Sequence, residues 1–420
     1  MKLSHKVSLA ATFLAVTVSI HAAAARQVEP EPPERPNIVM IMTDDQDVYS
    51  MPVMRYLNAY PEGSWINFTN AFVNDSICAP SRAAIMTGQY SHNHHVIKNN
   101  NTPFTRRNHL AIWLQNAGYN TAIFGKYHLQ KGSTRAPGWD IYMPDPLPNE
   151  ADGRTAMAVN YLDQQSPGTP FFLVVSYHAP HLPISTPDRY KNVDVYVPEV
   201  RANYNELDVS DKPPWVRRSP LIKRYVFDQK RKEQIEKQRE LLAVDDGVLA
   251  IVNALEDNGQ LDNTMVIFLT DNGHTYGSHR RWGKWCPYEE CSRIPLLIRY
   301  PGASRNREET RLVSNVDLAA TIADYANVNP GLPQDGRSLL PLLENTATQW
   351  RDSVLLERHV GDRYYGIRVP GWKYIEYKMG FRELYDLTAD PYEMQNVANQ
   401  PQYLAQQALL AEQLDDLLDN

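Results

Sequence analysis

The chain of 420 residues is poor in cysteine, has no excess of positive charge, and carries no long apolar run after its first residues. Its three cysteines are too few to build a disulfide scaffold, and their odd number leaves at least one thiol unpaired. A net charge of −7 disfavours nucleic acid as the main partner, because phosphate binding needs a positive surface. The apolar share of 43% and the charged share of 22% exclude disordered, collagen-like and coiled-coil classes. The remaining class is a large globular catalytic domain with a small appendage.

Residues 1–25 have the composition of a cleaved secretory signal. A basic start with Lys2 and Lys6 is followed by an apolar stretch from Val7 to Ile20 and then by a run of alanines. The apolar stretch is shorter than the ~20 residues that cross a bilayer, so we expect no membrane span, and an uncleaved anchor is the alternative. We therefore expect an exported protein that is secreted, periplasmic or lysosome-like, depending on the host.

The pattern that follows predicts an α/β catalytic domain. A proline-rich linker, 26–36, leads into a domain predicted to span 37–345. Buried strands are predicted at five apolar runs, which are Ile38–Met42, Thr121–Phe124, Phe171–Ser176, Met265–Leu269 and Leu296–Ile298. Helical spacing lies between them, at Leu110–Ala117 and from about Val226 to Asn258. Strands that alternate with helices favour a mostly parallel sheet sandwiched by helices.

The composition changes again in the segment 346–420, which we predict to be a small C-terminal subdomain. Short aromatic runs at Tyr364–Val369 and Trp372–Tyr377 are typical of strands, and Leu404–Leu418 has the spacing of a helix. We expect an antiparallel sheet with one helix packed against it.

Two further segments have more than one interpretation. The densely charged stretch Lys223–Glu240 is typical of a solvated helix face, and a patch that binds polyanions is the alternative. His92, His94 and His95 are close enough in sequence to suggest ligands of a transition metal. A substrate-pocket or structural role for these histidines is favoured, because a metal site rich in oxygen ligands is predicted elsewhere in the chain.

Polar side chains follow four of the predicted strands, and in an open α/β sheet ligands bind beyond the carboxyl ends of the strands. These groups are Thr43–Gln46, Thr270–Gly273, Gly125–His128 and Tyr177–His181. If all four ends meet at one edge of the sheet, carboxylates and an amide lie beside a lysine and histidines. That arrangement predicts a hard-metal site next to an anion site.

The metal site is predicted at Asp44, Asp45, Asp271 and Asn272, which supply only oxygen ligands. Oxygen ligands suit Ca²⁺ or Mg²⁺ rather than zinc. The alternative for the Asp44-Asp45 pair is a helix N-cap. The Asp-Asn pair after a second strand favours the metal.

Cys78 lies in the segment Cys78-Ala-Pro-Ser-Arg82, where Pro80 suits the first position of a helix. From its residue chemistry, Cys78 is either a thiolate nucleophile at a helix N-terminus or a buried, inert cysteine. Cys286 and Cys291 could close a small disulfide in an oxidising compartment, and a reduced pair is the alternative. In either case Cys78 is the cysteine left over.

The segment from Cys78 to Arg82, followed by Thr87-Gly88, resembles the modification motif of the type I sulfatases. The resemblance covers nearly the whole chain after the signal. It includes Asp44-Asp45-Gln46, Gly125-Lys126-x-His128, Asp271-Asn272-Gly273, Lys284 with Tyr288-Glu289, and the stretch from Glu383 to Asn396. Within that family, Ser91–Asn100, Asn203–Asn205 and Ala243–Asp246 look closest to the N-acetylglucosamine-6-sulfatases and the extracellular heparan sulfatases.

The resemblance implies an alkaline-phosphatase-like fold and a site built on formylglycine. Cys78 would be oxidised by a formylglycine-generating or maturase enzyme. The implied metal is Ca²⁺, with Mg²⁺ as a further option, and its implied ligands are Asp44, Asp45, Asp271, Asn272 and an oxygen of modified Cys78. Arg82 would support the formylglycine and the metal.

The remaining implied roles concern sulfate and proton transfer. Lys126, His181 and Lys284 would hold the sulfate oxygens, and His128 would steady the aldehyde hydrate. One hydroxyl of the hydrate would attack sulfur while a histidine protonates the departing sugar oxygen. His181 is expected to be that acid, with His178 as its competitor.

The implied substrate is a sulfated carbohydrate, most specifically 6-O-sulfated N-acetylglucosamine or a related sugar. An arylsulfatase of small aryl sulfates is the first alternative. A phosphomonoesterase or phosphodiesterase of the same superfamily is the second, and an inactive secreted carbohydrate-binding protein is the third.

Overall fold

The chain folds around a central eight-stranded sheet with helices on both faces. The computed structural model describes residues 35–58, 65–99, 104, 107–130, 135–144, 150–166, 168–303 and 307–419. The predicted signal at 1–25 and most of the predicted linker lie outside the described residues. The strands are β1 Asn37–Thr43, β2 Trp65–Phe68, β3 Ala71–Phe72, β4 Asn120–Gly125, β5 Ile141–Met143, β6 Phe171–Ser176, β7 Thr264–Thr270, β8 Thr275–Tyr276, β9 Trp282–Gly283, β10 Arg293–Ile294, β11 Leu296–Arg299, β12 Arg307–Glu309, β13 Val313–Ser314, β14 Val354–Arg358, β15 Tyr364–Val369, β16 Trp372–Tyr377 and β17 Arg382–Asp386.

Helices connect most of the central strands. The α-helices are α1 Arg55–Asn58, α2 Cys78–Thr87, α3 Ser91–His94, α4 Leu110–Asn116, α5 Glu150–Leu162, α6 Pro214–Arg217, α7 Arg224–Asp257, α8 Glu289–Ser292, α9 Asp317–Tyr325, α10 Leu340–Leu343 and α11 Leu404–Asp419. Short 3₁₀ helices lie at Val48–Val53, Asp188–Tyr190, Leu261–Asn263 and Pro401–Tyr403.

The central sheet has the order β12-β2-β11-β7-β1-β6-β4-β5. The strands from β7 to β5 in this order are parallel to one another, which confirms the predicted mostly parallel sheet. β11 runs antiparallel to β7. The chain reaches β11 through the short strands β8 and β9 and the four-residue helix α8, without the long crossover helix that a parallel neighbour needs.

β1 shows why the sheet is covered on both faces, because all seven of its residues are buried. Ile38 and Met40 pack into the core that contains α2, α4 and α9, whereas Val39 and Ile41 pack into the core that contains α5 and α7. A strand with both faces buried is a continuous apolar run rather than an alternating one. Truncation of such a side chain, as in Ile41→Ala, costs about 2–5 kcal/mol.

α7 is the longest helix in the described part of the chain, and its 34 residues extend over about 50 Å. Its second half places Leu241, Val244, Val248 and Leu255 against the sheet. The first turns of α7 carry exposed charged side chains, so the prediction of a solvated helix face for Lys223–Glu240 is confirmed in that part. Further along the segment, Gln234, Lys237, Gln238 and Glu240 are buried, so the prediction is wrong for that part.

The C-terminal part forms the antiparallel sheet β14-β15-β16-β17 with α11 packed on it, as predicted. The aromatic runs of β15 and β16 pair along their full length. Among the described residues, no helix is both long and apolar enough to cross a membrane.

Candidate active site

The carboxyl ends of β7, β1, β6 and β4 meet at one edge of the sheet. These strands are consecutive neighbours, with Thr43 level with Thr270, Met42 level with Ser176, and Gly125 level with Ser176. A Cβ atom at Gly125 would lie 1.9 Å from the carbonyl oxygen of Ser176, so only glycine permits this close approach. The four polar segments predicted from the sequence therefore lie together.

A cluster of acidic groups lies at the centre of this edge. One ligand atom from each of Asp44, Asp45, Cys78 and Asp271 lies within 4.8 Å of all the others, and all four residues are buried. Asp45 has a left-handed backbone with φ of 64°, and its amide donates to Asp271 Oδ1 at 3.3 Å. This turn points two successive carboxylates into the same space.

Asn272 completes the oxygen set. Its Nδ2 donates to Asp45 Oδ1 at 2.6 Å, while its Oδ1 is buried without a hydrogen-bond partner among the described residues. A buried carbonyl oxygen without a partner costs about 1–3 kcal/mol. Three carboxylates and this amide oxygen fit a hard divalent cation such as Ca²⁺ or Mg²⁺.

Two lysines enter the cluster, Lys126 from the end of β4 and Lys284 from the end of β9. Lys126 Nζ donates to Asp44 Oδ2 and lies 3.6 Å from Cys78 Sγ. Lys284 Nζ lies 2.5 Å from Asp45 Oδ1 and 2.7 Å from Cys78 Sγ. Both ammonium groups therefore point at the cysteine while each holds one carboxylate.

The lysines keep the carboxylates ionised. Burial alone would raise the pKa of Asp44, but the positive charges of Lys126, Arg82 and Lys284 together lower it to about 2. Burial has the same effect on Asp45, and Lys284 likewise lowers the pKa of that residue. In return the carboxylates raise the pKa of both lysines against the effect of burial. The site is thus a set of fixed charges at neutral pH.

Cys78 is the free cysteine of the chain and is only 1% exposed, whereas Cys286 and Cys291 form a disulfide. α2 begins at Cys78 with Ile77 as its N-cap, so the helix starts earlier than the position predicted from Pro80. Burial and the neighbouring carboxylates of Asp271 and Asp44 raise the pKa of the thiol well above its usual range. The unmodified cysteine is therefore not the low-pKa thiolate that the helix N-terminus suggested.

Arg82 lies one turn along α2 and connects three strand ends. Its Nε donates to Asp271 Oδ2 at 2.7 Å, and its Nη1 donates to Ser176 Oγ at 2.8 Å and to the carbonyl of Lys126. The residue is 3% exposed. It fixes the carboxylate of Asp271 and the backbone that carries Lys126.

The predicted histidines lie around the same cluster. His181 Nε2 is 3.7 Å from Asp45 Oδ2, and its Nδ1 is 2.6 Å from the carbonyl of Leu182. That carbonyl can only accept, so Nδ1 carries the proton and Nε2 faces the site. The ring of His178 lies 4.8 Å from that of His181, so both remain at the site. Burial, together with the charges of Lys126 and Arg82, lowers the pKa of His128 to about 4.

Two site residues were not predicted from the sequence. Burial lowers the pKa of His274 to about 3, and the charges of Asp45 and Lys284 are among those that affect this pKa. The Nδ1 of His274 has no hydrogen-bond partner among the described residues. Lys237 is 2% exposed and lies over the ring of Tyr276 at 5.4 Å. A signal for Lys237 existed: with Gln234 and Leu241 it keeps the helical spacing of the buried face of α7.

The three histidines after α2 do not form a metal cluster among the described residues. His92 Nδ1 pairs with Glu357 at 2.8 Å, and His94 Nδ1 accepts from the amide of Val96 at 3.0 Å. His95 is exposed and ends α3 in a left-handed conformation. The structural interpretation of these histidines therefore agrees with their contacts.

Comparison with known families and proteins adds to this geometry. The family model described as Sulfatase matches residues 36–328, and the model described as N-sulphoglucosamine sulphohydrolase, C-terminal, matches residues 277–420. The chain is 27% identical to an N-acetylglucosamine-6-O-sulfatase of Bacteroides thetaiotaomicron, over 96% of this chain and 90% of that protein. It is 29% identical to an arylsulfatase of Volvox carteri, over 91% of this chain and 73% of that protein.

A solved structure is also similar. It is that of a protein in complex with its substrate D-glucosamine-2-N,6-O-disulfate, with a TM-score of 0.79 and 26% identity. The match covers 92% of this chain and 99% of that one. The predicted alkaline-phosphatase-like architecture agrees with this neighbour.

Proposed function

The chain belongs to the sulfatase family and is a sulfuric ester hydrolase, and from this premise we propose that it removes the 6-O-sulfate of N-acetylglucosamine or a related sulfated sugar. The reaction centre is Cys78 in its oxidised, formylglycine form. The ligands of a divalent metal, in first place Ca²⁺, are Asp44, Asp45, Asp271, Asn272 and the modified Cys78.

The observation that carries the proposal is the meeting of two lysines at one buried cysteine. Lys126 Nζ and Lys284 Nζ lie 3.6 Å and 2.7 Å from Cys78 Sγ, beside the carboxylates of Asp44, Asp45 and Asp271. A sulfate ester that reacts at this position presents its anionic oxygens to both ammonium groups. Fixed positive charges that face developing negative charge lower the barrier of such group transfers.

The bound metal would supply Lewis-acid charge that balances the sulfate oxygens. Within the chain, Arg82 keeps Asp271 oriented, and Lys126 and Lys284 keep Asp44 and Asp45 ionised. Oxidation of Cys78 replaces a buried thiol of raised pKa with an aldehyde, whose hydrate has two hydroxyl groups on one carbon. The first of these hydroxyls attacks sulfur as the bond between sulfur and the sugar oxygen breaks. The second hydroxyl then loses its proton, the C–O bond to the sulfate breaks, and the aldehyde is regenerated.

Proton transfer falls to the histidines. His181 has Nε2 facing the cluster, so it donates the proton that the departing sugar oxygen needs. His128 has an Nδ1 without a partner and a pKa lowered to about 4, which suits a base that is neutral before it accepts a proton. His178 competes with His181 for the role of the acid.

The experiment that tests the substrate is a comparison of sulfate release from glucosamine 6-sulfate and galactose 6-sulfate. We expect the glucosamine compound to be the better substrate. The relative of similar length that is named an N-acetylglucosamine-6-O-sulfatase supports this choice. Preference for the galactose compound would overturn the proposed sugar but leave the reaction class standing.

The experiment that tests the chemistry is mass spectrometry of the peptide that contains Cys78. We expect formylglycine in the active protein, and Cys78→Ala is expected to fold and lose turnover. An unmodified thiol in fully active protein, or sulfate release by Cys78→Ala at the wild-type rate, would overturn the assignment. The proposal also requires export and a formylglycine-generating or maturase enzyme as a partner during biogenesis.

Hydrolysis of small aryl sulfates is the second candidate, because a relative at 29% identity is named an arylsulfatase. A comparison of the hydrolysis rates of a matched aryl sulfate and aryl phosphate distinguishes this candidate from the phosphoesterase alternative. We expect the sulfate to be cleaved faster than the phosphate, and glucosamine 6-sulfate faster than either. A protein that releases no sulfate from any of these compounds would instead support the silent carbohydrate-binding alternative.

A further inference from the structure

The charged part of α7 carries a row of three side chains that leads from the surface into the protein. Lys230, Glu233 and Lys237 are spaced by three and four residues, so they lie on one side of the helix. Lys230 Nζ lies 2.6 Å from Glu233 Oε2, and Lys237 Nζ lies 3.8 Å from Glu233 Oε1. The side chain of Lys230 is 30% exposed and that of Lys237 is 2% exposed. None of the three takes part in the proposed chemistry.

Each lysine of this row lies over an aromatic ring of the hairpin formed by β8 and β9. Lys237 Nζ is 5.4 Å from the ring centre of Tyr276, and Lys230 Nζ is 6.0 Å from that of Trp282. Tyr276 and Trp282 pair across the two strands, and their ring centres lie 6.4 Å apart. Ammonium groups are attracted to the faces of aromatic rings, most strongly where water is excluded. The row therefore holds both strands of the hairpin against α7.

The same hairpin carries Lys284 to the reaction centre. Gly283 pairs with Thr275, and Lys284 follows directly with its Nζ 2.7 Å from Cys78 Sγ. Thr275 Oγ1 also donates to the carbonyl of Gly283 at 2.9 Å. Gly283 has a φ of 118°, so the chain leaves β9 through a backbone conformation that favours glycine. On its N-terminal side, the position of Lys284 thus depends on where the hairpin lies.

The turn of the hairpin has a separate support. The amide of His279 donates to the carbonyl of Asn203 at 2.8 Å, and the amide of Asn205 donates to the carbonyl of Gly277 at 2.9 Å. These bonds hold the turn, which is the end of the hairpin remote from Lys284. The lysines of α7 instead lie over the strand residues, close in sequence to Lys284.

Lys237 is also within electrostatic reach of the metal ligands. Burial lowers the pKa of Lys237, although the charges of Asp45 and Glu233 act in the opposite direction. A buried cation is costly unless the groups around it compensate. A buried ammonium over Tyr276, with a carboxylate on either side, therefore indicates a position at which the charge itself is needed.

We propose that Lys237 is a positioning residue for Lys284: with Lys230 and Glu233 it fixes the hairpin of β8 and β9 on α7 and so sets where the Lys284 ammonium lies. The inference rests on the proposed function, because Lys284 is one of the two lysines that face the sulfate there. Neither lysine of α7 contacts the sulfate in this arrangement, so their effect on the reaction passes through Lys284. The charged segment Lys223–Glu240 is then a support of the active site rather than a surface for polyanions.

The test is a double-mutant cycle on kcat/KM for sulfate release from N-acetylglucosamine 6-sulfate, normalised to the formylglycine content of each protein. Lys237→Met removes the ammonium and keeps an unbranched side chain. We expect it to lower kcat/KM at least about tenfold in the wild-type background, because a small displacement of a charged group at the reaction centre is costly. In the Lys284→Ala background we expect the same substitution to change kcat/KM by less than about twofold, because the lysine that it positions is absent.

Lys126→Ala provides the matched background for this cycle. Lys126 also contacts Cys78, but it follows β4 and is not part of the hairpin. We expect Lys237→Met to keep its effect of at least about tenfold there. A loss of folded protein would lower the rate by the same factor in all three backgrounds, so the cycle separates positioning from stability.

Two single variants test the requirement for a cation at this place. Lys237→Arg keeps a cation that can lie over Tyr276, so we expect its kcat/KM to remain within about threefold of wild type. Lys232→Met replaces an exposed lysine of the same helix and is the control, with the wild-type kcat/KM expected.

A second readout does not depend on turnover. Inorganic sulfate is added at a series of concentrations, and the Tm of each protein is measured. We expect Lys237→Met to need at least about threefold more sulfate than wild type for half of the rise in Tm. In the Lys284→Ala background we expect Lys237→Met to leave the sulfate dependence unchanged.

The two levels of inference fail in different ways. An unchanged kcat/KM in Lys237→Met, or an equal fall in the Lys284→Ala and wild-type backgrounds, overturns the positioning role and leaves the proposed function standing. No sulfate release from this sugar by wild type that carries formylglycine overturns the proposed function, and the sulfate titration then decides the role of Lys237. If Lys237→Met fails to fold, the partly exposed Lys230→Met takes its place in the cycle, with the same pattern and a smaller factor expected.

Discussion

Asn272 is the residue whose surroundings argue most directly for a metal. Its side-chain oxygen is buried without a partner, although its Nδ2 is bound to Asp45. We expect Asn272→Ala to need at least about tenfold more Ca²⁺ than wild type for half of the calcium-dependent rise in Tm, because one oxygen ligand is lost. The measurement is a thermal melt at a series of calcium concentrations after chelation, so it does not depend on activity.

The control for this prediction is Asn93→Ala, which removes an exposed amide that binds Asp335. It is expected to keep the wild-type calcium dependence. If Asn272→Ala and wild type respond to the same calcium concentration, Asn272 is not a ligand, and its oxygen must be satisfied in another way.

Residue types explain which part of the site the sequence could predict. Asp44, Asp45 and Asp271 follow apolar strands directly, so the geometry of a parallel sheet brings them together without further information. Lys237 lies in a helix among many other charges, and only the buried face of α7 separates it from its solvated neighbours. His274 lies in the loop after β7, where no periodic pattern indicates its direction.

At the scale of elements, the segment after β6 is held by two buried carboxylates from neighbouring helices. Glu150 of α5 accepts from the amide of His178 at 2.8 Å, and Glu240 of α7 accepts from the amide of Ser185 at 2.8 Å. The segment between these two anchors carries His181. The proposed acid is therefore positioned by α5 and α7, although neither carboxylate is among the described contacts of its ring.

Glu240 gives this arrangement a measurable pH dependence. Burial raises its pKa from 4.5 to about 8, so the folded protein keeps a proton that the unfolded chain has lost. The free energy of unfolding of wild type therefore falls between about pH 5 and 8, by about 1.4 kcal/mol per pH unit from this group. Glu240→Gln has no proton to lose, so its stability relative to wild type is expected to increase with pH over that range.

Urea unfolding at pH 5, 6, 7 and 8 measures this difference. Glu256→Gln, an exposed position on the same helix, is the matched control and is expected to show no trend. A constant difference between Glu240→Gln and wild type across these pH values would contradict the raised pKa.

A second connection between elements joins β14 to α3. Glu357 is fully buried and accepts from the amide of Ser91 at 2.5 Å and from Asn74 Nδ2 at 3.0 Å. It also lies 2.8 Å from ring nitrogens of both His92 and His359. One carboxylate of the C-terminal sheet thus satisfies four groups, two of which lie close to the segment that leads to Cys78.

Glu357→Gln is expected to lower the free energy of unfolding at pH 7 by about 3 kcal/mol. Burial would raise the pKa of Glu357, but the hydrogen bonds of His359 and His92 lower it to about 2. A lowered pKa stabilises the fold above the unfolded value of 4.5, and this contribution is lost as the pH falls toward 2. The difference in the free energy of unfolding between wild type and Glu357→Gln should therefore become smaller below about pH 4.5. Unfolding titrations at pH 7, 5, 4 and 3 can measure this change.

The exposed Glu412→Gln on α11 is the control for this change. The pKa of His92 is raised by its hydrogen bond to Glu357, so its contribution is present below about pH 6.5 and is lost as the pH rises through the raised value. The deficit of Glu357→Gln should thus be larger at pH 6 than at pH 9. A deficit that grows on acidification below pH 4.5 would show that the carboxylate is not ionised in the fold.

The strands and long helices were predictable because each has a clear period or an unbroken apolar run. The direction of β11 was not, since Leu296–Ile298 has the composition of a buried strand whether it runs parallel or antiparallel. The start of α2 was missed because Ile77 caps it without a side-chain hydrogen bond, so no residue type marks the position. Local sequence therefore predicts elements better than it predicts their connections.

At the scale of the whole molecule, the C-terminal sheet shares its core with the catalytic part. Tyr288 and both cysteines of the disulfide pack against Leu356 and Ile375 of that sheet. The hydroxyl of Tyr288 also donates to Glu383 at 2.9 Å. The predicted boundary at 345/346 remains a proposal about domains, and this shared core argues that the two parts unfold together.

Lys373 makes the shared core testable. Its ammonium is fully buried and lies 2.9 Å from Glu289, 2.7 Å from Glu393 and 2.9 Å from the carbonyl of Pro287. Lys373→Met leaves two buried carboxylates with fewer cations, so we expect a loss of about 3–5 kcal/mol in the free energy of unfolding. The loss should move one transition, seen at the same urea concentration by near-UV and far-UV circular dichroism.

The exposed Lys378→Met, in the turn after β16, is the matched control and is expected to unfold like wild type. If Lys373→Met instead shows two separate transitions, the C-terminal sheet unfolds by itself and the two parts are independent. A single shifted transition means that the C-terminal sheet and the catalytic part unfold as one unit. Glu289, which Lys373 contacts, lies in α8, five residues beyond Lys284 of the proposed active site. Activity measured below the transition then reports whether the loss of the Lys373 cation affects the reaction centre before the fold is lost.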